Sequence, residues 1–280
     1  MDNRDEIDME GEDVLSIIAK AESNAHVPVE DMLTMGGDLR LLLRAQIDVY
    51  ERLYTKTAVA FGNRKYMAEA GRDVPGGAVM QVYDNALIDM AHMKQRAEKD
   101  FTKTLKVLAK DYPVIDALLG IRGIGPRFAA GLFAMNDIST NCDTPSSLWR
   151  WCGYGVVDGV AEKRVKGQKL AYNPRLKTLC YLIGESLIKQ GDKSPYRRIY
   201  DEAKEYYTAN RPGWKTEKSP KGHYHMAAMR KMVKVFLAHL WEYWRESEGL
   251  ATRKIYCIEK MGHTTPLPRE EFGWPKPIST

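Results

Sequence analysis

The sequence predicts a mainly α protein, in which a long antiparallel helical hairpin precedes a second helical domain. Apolar positions recur every three and four residues over long stretches, helix-starting and helix-ending residues separate these stretches, and strand patterns are few. We divide the chain into an acidic, largely disordered tail (1–36), the hairpin (37–112), the second helical domain (113–249) and a proline-rich extended tail (250–280).

Charge is distributed unevenly along the chain. The formal net charge is only +5, but residues 1–36 carry about ten acids and two bases, whereas residues 113–234 carry about 21 bases and 11 acids. A basic region attracts polyanions, and nucleic acid is the commonest polyanion inside a cell. The alternative is that these lysines and arginines form ordinary solvated faces.

Composition also argues against several classes of protein. No apolar run approaches the roughly 20 residues of a membrane-spanning helix, and the N-terminus has no signal-peptide pattern, so we expect a cytoplasmic protein without membrane contact. The four cysteines show no C-x-x-C spacing, which predicts buried or partly buried free thiols at Cys142, Cys152, Cys180 and Cys257. We predict no cofactor and no metal.

Two long amphipathic patterns form the predicted hairpin. The first runs from Asp38 and closes at Gly62 and Asn63, and the second covers about Gly77 to Lys110. Their stripe of Leu, Val and Met is a packing seam, either within one chain or between two chains. The second possibility predicts a homo-oligomer held by a coiled-coil-like hairpin.

Helix-starting signals mark the later helices. Asn173 followed by proline predicts a buried helix over 174–190, and Ser194 followed by proline predicts the next helix. A last helix, about 224–248, ends at Gly249 and places Trp241 and Trp244 in the core.

The stretch "LLGIRGIGPRFAAGLF" (118–133) has the pattern of a helix-hairpin-helix motif. Glycines at 123 and 125 flank Ile124 and leave backbone amides uncovered, and Pro126 suits the first position of a helix. Unpaired amides at a helix start bind a phosphate oxygen, and Arg122 and Arg127 add cations beside it. We therefore predict contact with the DNA backbone through Arg122, Gly123, Ile124, Gly125 and Arg127, which positions DNA without reading its sequence. A plain tight turn between core helices is the alternative.

A basic loop follows the motif. Its cations are Lys163, Arg164, Lys166, Lys169, Arg175 and Lys177. Such a loop can follow a phosphate backbone while Tyr154 and Tyr172 stack on exposed bases. These tyrosines could equally cover the edge of the core.

The order of these features resembles a known family. Six segments in this order resemble the C-terminal domain of the insertion-sequence transposases known as bridge-RNA-guided, DEDD-type recombinases. They are the helix-hairpin-helix motif, "SSLWRWCGYG", the basic loop, "NPRLKTLCYLIGESLIKQ", "SPYRRIYDEAKE" and "GHYHMAAMRKMVKVFLAHLWEYW". The preceding hairpin looks like their coiled coil. The resemblance spans about residues 40 to 248 and implies DNA recombination and transposition, with DNA or a structured RNA as the partner.

Two parts of that family's pattern are missing. The family's RuvC-like domain carries metal-binding carboxylates on strands, whereas the N-terminal acids here lie in a polar tail, so we expect that domain to be absent. The stretch "VVDGVAEKRVKG", which corresponds to the family's nucleophilic serine, contains no serine, and Ser146 and Ser147 suit helix capping. Cys152 or Tyr154 could substitute only with an activating partner.

We therefore expect a transposase-derived nucleic-acid-binding protein associated with the nucleoid or a mobile element. One alternative is an active recombinase subunit that works with a separate nuclease or a substitute nucleophile. Another is an oligomeric scaffold or regulator without a nucleic-acid role. A helix-hairpin-helix glycosylase would place its aspartate near Asp143, but the segment around it lacks the expected G-P-D pattern. His223 and His225 could form half of a metal site, although no third ligand is evident.

Overall fold

The computed structural model describes residues 38–70, 78–136, 138, 142–157, 160–162, 167, 169–215, 223–252 and 267–276. This part of the chain is mainly helical, which confirms the predicted fold class. The prediction for residues 1–36 lies outside the described residues. The helices are α1 (Leu39–Glu69), α2 (Ala78–Leu108), α3 (Pro113–Gly120), α4 (Pro126–Met135), α5 (Pro145–Trp151), α6 (Pro174–Lys189), α7 (Pro195–Asn210) and α8 (Tyr224–Ser247). Two short strands, β1 (Val156–Val157) and β2 (Val160–Ala161), pair antiparallel.

The long helices α1 and α2 run antiparallel. Near the connection between them, the Arg64 guanidinium donates two hydrogen bonds to Asp84, at 2.7 and 3.2 Å. Near the other end, the Tyr50 and Phe101 rings meet edge to face at 5.1 Å. The predicted end at Gly62 and Asn63 is wrong, because α1 continues through both residues to Glu69. An exposed glycine inside a helix costs only about 1 kcal/mol, and the contact between Arg64 and Asp84 lies beyond it.

Helix α8 lies at the centre of the second domain. Its residues Phe236, Trp241 and Trp244 are fully buried, which confirms the predicted core position of the two tryptophans. Phe133 of α4 stacks on Trp244 with ring centroids 5.2 Å apart. Helix α7 packs along α8, and α4 packs against both α2 and α6. The base of the hairpin and the second domain therefore share one core.

Helix starts follow the sequence signals with two corrections. Asn173 caps α6, because its side-chain oxygen accepts bonds from the amides of Arg175 and Leu176 at 3.0 and 3.2 Å. Ser194 precedes α7 but makes no capping bond. The cap of α5 is Thr144, which forms a reciprocal capping box with Ser147.

The C-terminal segment 267–276 differs from the extended tail that the prolines predicted. It forms a 3-10 turn at Arg269–Phe272 and packs on the domain, with Phe272 and Trp274 only 1% and 2% exposed. The Trp274 indole donates to the Tyr196 hydroxyl at 2.7 Å. Two buried aromatic side chains explain the difference, because their burial outweighs the preference of proline-rich sequence for solvent. Within the described ranges, we find no helix of the length and apolarity needed to span a bilayer.

Candidate nucleic-acid interface

The turn between α3 and α4 is held in place by α6. Gly123 has a φ of +98°, a conformation that L side chains rarely adopt. A Cβ atom at this position would lie 3.1 Å from Cγ of Gln190 and 3.3 Å from Cδ2 of Leu187. The Gly123 carbonyl accepts a hydrogen bond from the Ser186 hydroxyl at 2.7 Å. The backbone conformation therefore favours glycine here, and a side chain would also have to displace Gln190 or Leu187 slightly.

Gly125 occupies a different environment at the N-cap of α4. Its φ of −93° and ψ of 176° are extended and suit any residue, and a Cβ atom there would meet nothing within 4 Å. The amides of Phe128 and Ala129 donate to the Gly125 carbonyl at 3.0 and 3.1 Å. Within the described part of the chain, the amides of Gly125 and Arg127 have no acceptor, and no side chain caps the helix. The start of α4 thus presents unpaired donors to open space.

The two arginines of the motif differ in their surroundings. Arg122 is exposed and forms no ion pair with the residues that the structure describes. Arg127 is largely covered by α1, where its guanidinium lies 3.5 Å from Oε1 of Glu51 and 4.6 Å from the centroid of the Tyr54 ring. Ile124 is buried and anchors the turn. Arg122 is therefore available to an external anion, whereas Arg127 already has an acidic partner.

The predicted basic loop is only partly described. Lys163, Arg164 and Lys166 lie outside the described residues, and Lys169 is exposed. The Lys177 ammonium lies 4.4 Å from the centroid of the Tyr172 ring, and the Lys177 stem fills the space beside Gly153. Lys177 therefore has a packing role in this conformation.

Arg175, at the start of α6, pairs with two acids of α1. It contacts the Asp48 carboxylate and lies 3.5 Å from Oε2 of Glu51. The bond to Asp48 is the main cause that raises the pKa of Arg175. Because the other oxygen of Glu51 faces Arg127, one carboxylate links the starts of α4 and α6. The sequence did not single out Asp48 or Glu51, since acids on an amphipathic helix normally face solvent.

The structure corrects the prediction that Tyr154 and Tyr172 stack on bases. They are only 7% and 8% exposed, and a cation faces each ring, Arg230 for Tyr154 and Lys177 for Tyr172. The Arg230 guanidinium also donates to the Tyr154 carbonyl at 2.6 Å. These contacts make the tyrosines part of the edge of the core, which was the alternative interpretation.

Cys152 and Tyr154 are poor candidates for a substitute nucleophile. Burial is the main cause that raises the pKa of the Cys152 thiol and the pKa of the Tyr154 phenol well above their usual values. A buried group that keeps its proton is a weak nucleophile. Cys142, Cys152 and Cys180 are buried thiols, as predicted, and Cys257 lies outside the described residues.

His225 belongs to a chain of polar side chains that joins three helices. Its Nδ1 lies 2.8 Å from the Tyr200 hydroxyl, and its Nε2 lies 3.3 Å from Oε1 of Glu185. His223 occupies the N-cap of α8. Among the described residues, no three His, Cys, Asp or Glu side chains are grouped so that they could hold a metal ion. Contacts within the protein therefore account for His225.

A comparison with models of known protein families finds no match, and a comparison with curated proteins finds none either.

Proposed function

We propose that this protein is a transposase-derived DNA-binding protein that holds the phosphate backbone at the turn of residues 122–127. The observation that carries the proposal is the open start of α4. Two amides without an acceptor in the described structure lie at the positive end of the helix dipole at Gly125, and the exposed Arg122 precedes them by three residues in the same turn. A phosphate oxygen is the common cellular acceptor that suits this combination.

The contrast between the two glycines supports this function over a purely structural turn. Gly123 is needed to form the turn, whereas neither conformation nor packing demands glycine at 125. A side chain at 125 would instead fill the space in front of the amides. Glycine at this position is thus consistent with close approach of an external group.

The surroundings of the two remaining candidate nucleophiles favour DNA binding over DNA strand transfer. Cys152 is fully buried and Tyr154 is 7% exposed, so neither can approach a phosphodiester in this conformation. The resemblance to recombinases supports the derivation of the second helical domain from the domain with which those recombinases engage DNA. DNA is the proposed partner, and a structured RNA is the alternative because a phosphate contact is common to both.

We also propose that the hairpin pairs two copies of the chain. Large apolar side chains are exposed along it, including Val59 and Tyr66, which lie seven residues apart on one face of α1, and Val82 on α2. Seven-residue spacing is typical of helices that associate. Sedimentation equilibrium of the parent protein and of a Val59→Lys, Tyr66→Lys variant tests this, and a monomeric parent would contradict it.

The main proposal is tested by the dependence of DNA binding on salt. The logarithm of the affinity of a labelled duplex should fall linearly with the logarithm of the salt concentration. Gly125→Asp should abolish binding because its carboxylate occupies the amides and repels phosphate. The same substitution should leave the melting temperature unchanged or raised, because aspartate is a preferred N-cap. Gly125→Asn, a neutral cap, should weaken binding less, and absence of parent binding at low salt would refute the proposal.

A further inference from the structure

A cleft between α1 and the start of α6 lies beside the turn. Its volume is about 480 Å³, and it is lined by Asp48, Glu51, Arg52, Thr55 and Lys56 of α1 and by Arg175 of α6. This volume falls within the range of cavities that hold small ligands or part of a larger one. Five of its six lining residues are charged, which favours an occupant that also carries charge.

The acids and bases of the cleft are not equivalent. Asp48 and Glu51 are both directed to Arg175, and Glu51 also faces Arg127. Arg52 and Lys56 are exposed and form no ion pair with any residue in the described ranges. Because the two acids already pair with Arg127 and Arg175, Arg52 and Lys56 are available to bind an external anion.

The spacing of Arg52 and Lys56 also indicates an anion. They lie four residues apart on α1, which makes their side chains neighbours on one helix face. Like charges at this spacing destabilise a helix by a few tenths of a kcal/mol. An anion placed between them would turn that repulsion into attraction.

The position of the cleft connects it with the turn. One carboxylate, that of Glu51, lies within 3.5 Å of both Arg127, in the first turn of α4, and Arg175, which lines the cleft. The first turn of α4 and the cleft are therefore neighbours through this carboxylate, and an occupant that extends beyond one phosphate suits two neighbouring positions.

We infer that Arg52 and Lys56, in the cleft beside Arg175, form a second phosphate-binding position for the same nucleic-acid strand that contacts the turn at Gly125. This inference rests on the proposed function and extends the nucleic-acid interface from the second domain onto the hairpin. The occupant is the sugar-phosphate backbone, and Thr55 supplies a hydroxyl donor to it.

The test is the salt dependence of duplex binding by the full chain, measured by fluorescence anisotropy. Each phosphate contact contributes roughly 0.9 to the slope of log affinity against log salt, so removal of this one position by Arg52→Gln with Lys56→Gln should lower the slope by about 0.9. The matched control is Lys99→Gln with Lys103→Gln, which removes an exposed pair with the same spacing from α2. The control should keep the parent slope, and circular dichroism checks that both variants fold.

The outcomes separate the inference from the proposed function. The second phosphate position would be overturned if the Arg52/Lys56 variant had the same salt slope as the parent protein while Gly125→Asp still abolished binding. The proposed function would then remain intact. Absence of duplex binding by the parent protein would overturn both. An equal loss of slope in the α2 control would also overturn the inference, because it would show a general effect of charge. Competition by inorganic phosphate at concentrations comparable to the duplex would indicate an isolated anion site and would overturn it too.

Discussion

The carboxylate of Glu51 lies 3.5 Å from the guanidinium of Arg127, so an acid of the hairpin pairs with a cation of the proposed phosphate-binding turn. A phosphate that approaches Arg127 must compete with this carboxylate. Glu51→Gln keeps the size of the side chain and removes the competing charge. The loss of an ion pair worth about 0.5–1 kcal/mol should raise duplex affinity about two- to fivefold at low salt.

The control for this effect is Glu69→Gln at the far end of α1, where the carboxylate is exposed and pairs with Lys65. This variant has the same net charge as Glu51→Gln, so a specific effect requires that its affinity remain close to that of the parent. An unchanged or reduced affinity of the Glu51 variant would show that the carboxylate does not compete with phosphate.

Serine substitutions at the two glycines of the turn should affect stability differently. Gly123→Ser places a side chain at a φ of +98° and against Leu187, which should cost about 1–2 kcal/mol. Gly125→Ser introduces a favourable N-cap at an extended position and should cost nothing or stabilise. Urea denaturation measures both free energies of unfolding. Equal costs would contradict the assignment of separate roles to these glycines.

The buried His239 should make stability depend on pH. Its Nε2 lies 2.9 Å from the Leu267 carbonyl and therefore donates, and its Nδ1 accepts from the Tyr196 hydroxyl at 2.7 Å. Burial is the main cause that lowers the pKa of His239 from 6.5 to about 4, and Arg269 lowers it further against the opposing effect of the Leu267 bond. The folded state thus favours the neutral ring.

Because the pKa is lowered on folding, the unfolded chain binds the proton first as pH falls. The free energy of unfolding should therefore decrease between pH 6.5 and pH 4, by about 3 kcal/mol in total from this residue. His239→Gln removes the titrating group, so its stability should fall less over this range. Parallel curves for the parent and the variant, measured by urea denaturation at each pH, would contradict this explanation.

Arg269 should be important for the attachment of the C-terminal segment. Its side chain is 6% exposed and pairs with Glu242 at 3.5 Å, with Glu246 and with Glu270 at 3.7 Å. Arg269→Met leaves these acids without their cation and should cost about 2 kcal/mol, measured by chemical denaturation.

Arg198→Met is the matched control for this loss. Arg198 is 57% exposed, and its contacts with Glu202 and Glu271 are 3.8 and 3.9 Å long. Exposed pairs contribute little, so the expected cost is below about 0.5 kcal/mol. Equal losses in the two variants would mean that burial of Arg269 adds nothing to the attachment.

Local signals predicted most of the helices. Asn173 and Pro174 determine the start of α6 because the capping oxygen and the fixed φ of proline act within a few residues. The end predicted at Gly62 failed because contacts between α1 and α2, such as that of Arg64 with Asp84, outweigh the weak preference of one glycine. The packed segment around Phe272 and Trp274 was missed because its burial depends on α7 and α8, which are distant in sequence.

The candidate site shows the same division. Periodicity, caps and glycine conformation are local properties, so the mainly helical fold and the turn of residues 122–127 can be predicted from the chain's residues alone. Three features come from long-range packing instead: Glu51 lies against Arg127 and Arg175, Tyr154 and Tyr172 are buried, and Arg52 and Lys56 face a cleft. Such pairings depend on the way α1 packs against α4 and α6, and periodicity within a single helix does not encode them.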